Sequence, residues 1–179
     1  MLGSRYFVFS IVLTLICPIS GSAQARPGCA ADSAFAMLDF WVGDWNVYQD
    51  TTLVGTNRIE KVLSGCAVIE HWRAVGGAEG KSLFYYQPAT AQWKQVWVTE
   101  NPASPGSVKE KVLTEKLAGG GVRFQGEIPL RGGATYLDRT TLTPLPDGRV
   151  RQLIEIARDG KTWETTFDAV YAPSQRRAR

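Results

Sequence analysis

From Gly43 onward, apolar and polar positions alternate in short runs separated by clusters of Gly, Pro and Asp. That is the period of half-buried strands, and no helix-length apolar stripe interrupts it. The pattern predicts ten strands, near 43–50, 54–63, 66–75, 80–87, 92–100, 108–117, 122–128, 134–143, 149–157 and 161–171. Turn chemistry separates them: "GGAEG" at 76–80, "AGGG" at 118–121, "PDG" at 146–148 and "RDG" at 158–160. Ten strands in about 130 residues leave no length for the crossovers that parallel pairing needs, so the strands run antiparallel and up-and-down. Closing such a sheet removes its unpaired edges and gives an all-β barrel. A two-sheet sandwich uses the same strands, and local pattern does not separate the two.

Before Gly43 the period changes. In "DSAFAMLDFW", Asp32 to Trp41, a capping Asp or Ser precedes Phe35, Leu38 and Trp41 at three-residue spacing, which predicts a short helix. Gly43 then supplies a turn, and Trp45 opens the first strand with Val47 on the same side. The two tryptophans of "FWVGDW" thus belong to different elements, with the helix closing one end of the barrel.

The first residues read as a secretory signal peptide: Arg5, an apolar run from Phe7 to Ile16, then small and polar residues. The run is shorter than the ~20 residues of a membrane-spanning helix. Cleavage after Ala23 or Ala25 fits the small-x-small rule, and Ala23 is preferred. The organisation expected is a signal peptide at 1–23, an N-terminal segment with the short helix at 24–42, a barrel at 43–172 and a basic tail at 173–179. The expected location is outside the cytoplasm, in a bacterial periplasm.

Processing changes the cysteine picture. Of three cysteines, Cys17 leaves with the leader, and Cys29 and Cys66 remain in an oxidising compartment, where a disulfide is expected. Two cysteines and one histidine do not make a zinc site. The net charge is +3 with signs mixed along the chain, which gives no footprint for nucleic acid or an anionic membrane.

"FWVGDW", "GTNRIEKVLSGCAVIEHW", "QWKQVW", "GRVRQLIE" and "GKTWETTFDAVY" together resemble a family of uncharacterised bacterial secreted proteins with an F-W-x-G-x-W opening, from about Phe40 to Tyr171. More remotely, Gly43-x-Trp45 after a short helix resembles the opening of lipocalins and other calycin barrels, and the strand count resembles the ten-stranded nitrobindin-type barrel. The second resemblance implies a calycin-like barrel around a small apolar ligand, or around haem held by a histidine late in the chain. The one histidine here is His71, in the third strand, so neither haem nor another cofactor is expected.

Strand parity is the means of finding an interior. Taking the tryptophan-bearing faces as inward places Glu70 with Trp72, and Gln95 with Trp93 and Trp97. The same rule puts Gln152 inward with Ile154, and Thr165 inward with Trp163 and Phe167. Phe84 and Tyr86 add an aromatic side. Aromatic walls with a few polar groups are the makings of a small-molecule pocket. The same polar groups can instead satisfy one another, with Arg58, Arg139 or Arg151 neutralising Glu70 in a structural pair.

His71 follows Glu70 directly and faces the opposite side, so the two cannot converge on one atom. No G-x-S-x-G elbow positions a serine, and the glycine runs stand at turns rather than before helices, so they make no phosphate loop. The expected function is binding of a small apolar or amphipathic ligand by Glu70, Trp72, Phe84, Tyr86, Trp93, Gln95, Trp97, Gln152 and Trp163. Two alternatives stand beside it: an enzyme with Glu70 as general base, and a filled barrel serving through its outer surface.

Overall fold

The computed structural model describes residues 28–101 and 106–174. The expected signal peptide at 1–23 and most of the basic tail lie outside the described residues. Ten strands form one closed antiparallel barrel: β1 (Gly43–Gln49), β2 (Thr52–Val62), β3 (Ala67–Ala74), β4 (Glu79–Gln87), β5 (Gln92–Thr99), β6 (Val108–Lys116), β7 (Val122–Pro129), β8 (Thr135–Pro144), β9 (Val150–Ala157) and β10 (Glu164–Pro173). Each strand pairs with its sequence neighbours, and β1 closes the ring on β10 with Trp45 opposite Pro173 and Val47 opposite Tyr171. This is the calycin-like up-and-down barrel, and the sandwich is excluded.

The helical segment before β1 is wound as short 3-10 turns at Cys29–Ala31, Ser33–Phe35 and Asp39–Trp41. The Asp32 carboxylate caps the second by accepting from the Ala34 amide at 2.9 Å. Phe35, Leu38 and Trp41 recur every third residue, which in 3.0-residue turns stacks them on one side. All three are buried. Trp41 is fully enclosed, and its carbonyl accepts from the Trp45 indole at 2.9 Å, tying the segment to β1.

These turns plug one end of the barrel. Trp41 meets Phe84 edge-on at 5.5 Å, Phe84 meets Phe124 at 5.4 Å, and Tyr171 packs between Trp41 and Trp45. Val47, Val68, Leu142 and Val150 fill the spaces between the rings. The expected disulfide joins Cys29 to Cys66 and so staples the plug to the connection between β2 and β3.

Candidate ligand-binding site

Only the plugged half of the barrel is filled with apolar side chains. In the other half, inward residues of successive strands surround a cavity of about 370 Å³ that opens to solvent. Its aromatic walls are Trp72 of β3, Trp97 of β5 and Phe167 of β10, with Ile154 of β9. Two glycines set the position of the tryptophans. A Cβ on Gly80 would lie 2.1 Å from the Trp97 ring, and one on Gly55 would lie 2.5 Å from the Trp72 ring. Each indole thus reaches over a neighbouring strand at a position where no side chain competes.

The polar lining falls into two groups. In the first, Glu70 is 3% exposed and both of its oxygens accept hydrogen bonds, Oε1 from Asn57 Nδ2 at 2.7 Å and Oε2 from Ser82 Oγ at 2.6 Å. Gln95 Nε2 donates to Ser82 Oγ at 3.1 Å, and the buried Gln95 Oε1 has no hydrogen-bond partner among the described residues. The Tyr171 hydroxyl, projecting from the core, donates to Gln152 Oε1 at 2.5 Å. Burial raises the Glu70 carboxyl above the usual range against the opposing hydrogen bonds from Ser82 and Asn57, and burial also lifts Tyr171 well above an ordinary phenol.

The second group stands on β6 and β8. Lys111, its side chain 2% exposed, pairs with Asp138 Oδ1 and donates to Thr140 Oγ1 at 2.6 Å. Lys109, nearer the mouth, holds Asp138 Oδ2 at 2.6 Å. Two ammonium groups therefore flank one fully buried carboxylate. Burial pulls Lys111 down to about 8, with the Lys109 charge adding to the effect and Asp138 opposing it. Glu70 lies within electrostatic range of Lys111, and Gln95 stands directly across from Lys111 between adjoining strands.

The cavity brings together Glu70, Trp72, Gln95, Trp97 and Gln152 of the residues expected from sequence. Phe84, Tyr86 and Trp93 lie elsewhere. Phe84 belongs to the core beneath the cavity, Tyr86 packs on Phe35, and the Trp93 indole donates to the Ala34 carbonyl at 2.9 Å. Parity gave their side of the sheet but not their depth along the barrel.

Trp163 departs further. The register of β10 on β9 shifts between Thr165 and Phe167, leaving Thr166 as an extra residue. Phe167 sits opposite the cavity-lining Ile154, whereas Thr165 sits opposite the outward Glu155. Trp163 precedes the shift and stacks under Arg139 at 3.9 Å, on the outer face where Arg139 grips Glu155. Neither Trp163 nor Thr165 is a wall of the cavity.

None of the arginines considered as partners of Glu70 reaches it. Arg58 pairs with Glu60, Arg139 with Glu155 and Arg151 with Asp168. His71 is outside, between Glu60 at 3.0 Å and Lys81 at 2.8 Å. Sequence reasoning missed Asn57, Ser82, Lys109, Lys111, Asp138, Thr140 and Tyr171. Parity carried from β3 to its neighbours would have found Asn57 and Ser82, which sit opposite Trp72 and Glu70.

Among the described residues, no helix is long and apolar enough to cross a membrane, and no three His, Cys, Asp or Glu side chains gather as metal ligands. The chain matches no protein-family model and no curated protein sequence.

Proposed function

We propose that this protein is a secreted, periplasmic barrel that binds one small amphipathic molecule in its open half. The observation that carries the reading is the cavity itself, lined by aromatic and polar residues, in a barrel whose other half holds the apolar core. The buried Gln95 Oε1 supports it, because this acceptor on a cavity-lining residue has no partner among the described residues and takes its donor from water or from a ligand. A ligand hydroxyl or amine would supply one. The Lys109 and Lys111 ammonium groups offer donors to a ligand oxygen, and the indoles of Trp72 and Trp97 suit a flat apolar body.

The Cys29–Cys66 disulfide and the leader-like first residues support the location. Glu70 as general base has less support than the binding role, since both its oxygens already accept fixed hydrogen bonds. The filled-barrel alternative conflicts with the cavity.

Calorimetric titration with 2-naphthylmethanol, a flat ring system bearing one hydroxyl, tests the reading. Saturable one-site binding in the micromolar range is expected, with loss of the signal in Ile154→Trp, whose larger ring occupies the cavity. Heat that does not saturate, or saturation unchanged in Ile154→Trp, would refute it.

A further inference from the structure

We infer that the cavity captures small aldehydes or ketones, with the Lys111 amine forming an imine to the ligand carbonyl. The inference rests on the cavity reading and adds a bond to it. Lys111 is one of the residues lining the cavity, together with Trp72 and Trp97, so a ligand carbonyl seated there lies against the residue that carries the amine. Its surroundings are those that activate a lysine amine, namely burial away from water and a second cation, Lys109, sharing its counter-ion. The charged and titratable groups facing it are Asp138 on β8, Lys109 on its own strand and Glu70 on β3.

The step balances within the site. Lys111 as an ammonium gives one proton to the Asp138 carboxylate with which it is paired. The freed lone pair adds to the carbonyl carbon, forming the C–N bond, and the oxygen takes a proton from the nitrogen to give a carbinolamine. That hydroxyl leaves as water with the proton held by Asp138. The product is a protonated imine whose positive charge remains beside Asp138, so the buried ion pair is preserved and no further reactant is needed. An amine titrating at about 8 offers, at neutral pH, on the order of a hundred times the free-base fraction of an ordinary lysine.

The test uses the folded protein with 2-naphthaldehyde and cyanoborohydride, which reduces an imine to a stable amine, followed by peptide mapping. The expected result is labelling of Lys111 at least about tenfold faster than of any other lysine. Excess 2-naphthylmethanol should suppress it, and no label should appear at position 111 in Lys111→Arg. The wild-type map with competition decides the matter even where the variant folds poorly. Labelling of Lys109 and the surface lysines at rates equal to Lys111, or no labelling, would overturn the inference. If 2-naphthylmethanol then still binds by calorimetry, the cavity reading survives alone; if it does not, both fall.

Discussion

Gly80 has no side chain where the Trp97 ring lies, and a methyl group there would sit 2.1 Å from the indole. Gly80→Ala should therefore push Trp97 off its seat, costing about 1–3 kcal/mol of stability in urea denaturation and weakening probe binding in parallel. Retained affinity would show that the indole is not a wall of the site. Two of the buried ionisable groups, Glu70 and Lys111, give opposite pH signatures. Burial favours the protonated, neutral Glu70 in the folded state, so the folded chain binds more protons than the unfolded one. Stability should fall as pH rises from the unfolded carboxyl value, about 4.3, towards the higher folded value, and Glu70→Gln should lack that fall. Lys111 is depressed to about 8, so the unfolded chain binds more protons between there and its ordinary value. Stability should rise with pH across that window by up to about 3 kcal/mol relative to Lys111→Arg, whose guanidinium does not titrate there. Glu70, Gln95 and Gln152 were legible because each alternates with tryptophan or aliphatic residues. Lys109 and Lys111 were not, because on β6 the inward positions carry the lysines while Val108 and Val112 occupy the other parity.

At the scale of elements, the ten strands were readable with their ends within three residues, since period-two alternation and Gly- or Asp-rich turns are local signals. The extra residue at Thr166 was not. A bulge leaves no mark in the apolar pattern, yet it reverses which side the preceding residues of β10 face, and Trp163, just before the strand, lies outside with them. The segment before β1 was legible as helical, while its 3-10 winding follows from the unbroken three-residue recurrence of Phe35, Leu38 and Trp41. Its attachment depends on the disulfide. A Cβ on Gly65 would lie 2.9 Å from the Ala30 backbone, so the plug and the β2–β3 connection touch directly where the Cys29–Cys66 bond joins them. With the cysteines 37 positions apart in sequence, the bond contributes about 4 kcal/mol in the chain-entropy account. Replacing both cysteines with alanine should lower urea stability by about 2–4 kcal/mol while leaving probe affinity within a factor of about two, because the staple lies at the end opposite the cavity.

At the scale of the molecule, the barrel divides into a half built for stability and a half that is not. Rings meeting edge-on around Trp41 and Phe84 fill one end. The other holds a buried ion pair and a carboxyl fixed by two donors, around open space. Well-packed apolar residues of similar volume stabilise a fold as well as or better than a buried ion pair does, so stability alone gives little reason for that arrangement. Binding gives one. Native mass spectrometry of the protein purified from the cells that make it tests this most directly. The predicted spectrum shows the chain plus a single small molecule, lost on collisional activation and absent from Ile154→Trp. A spectrum of the bare chain, identical in both proteins and unshifted by added 2-naphthylmethanol, would contradict the account.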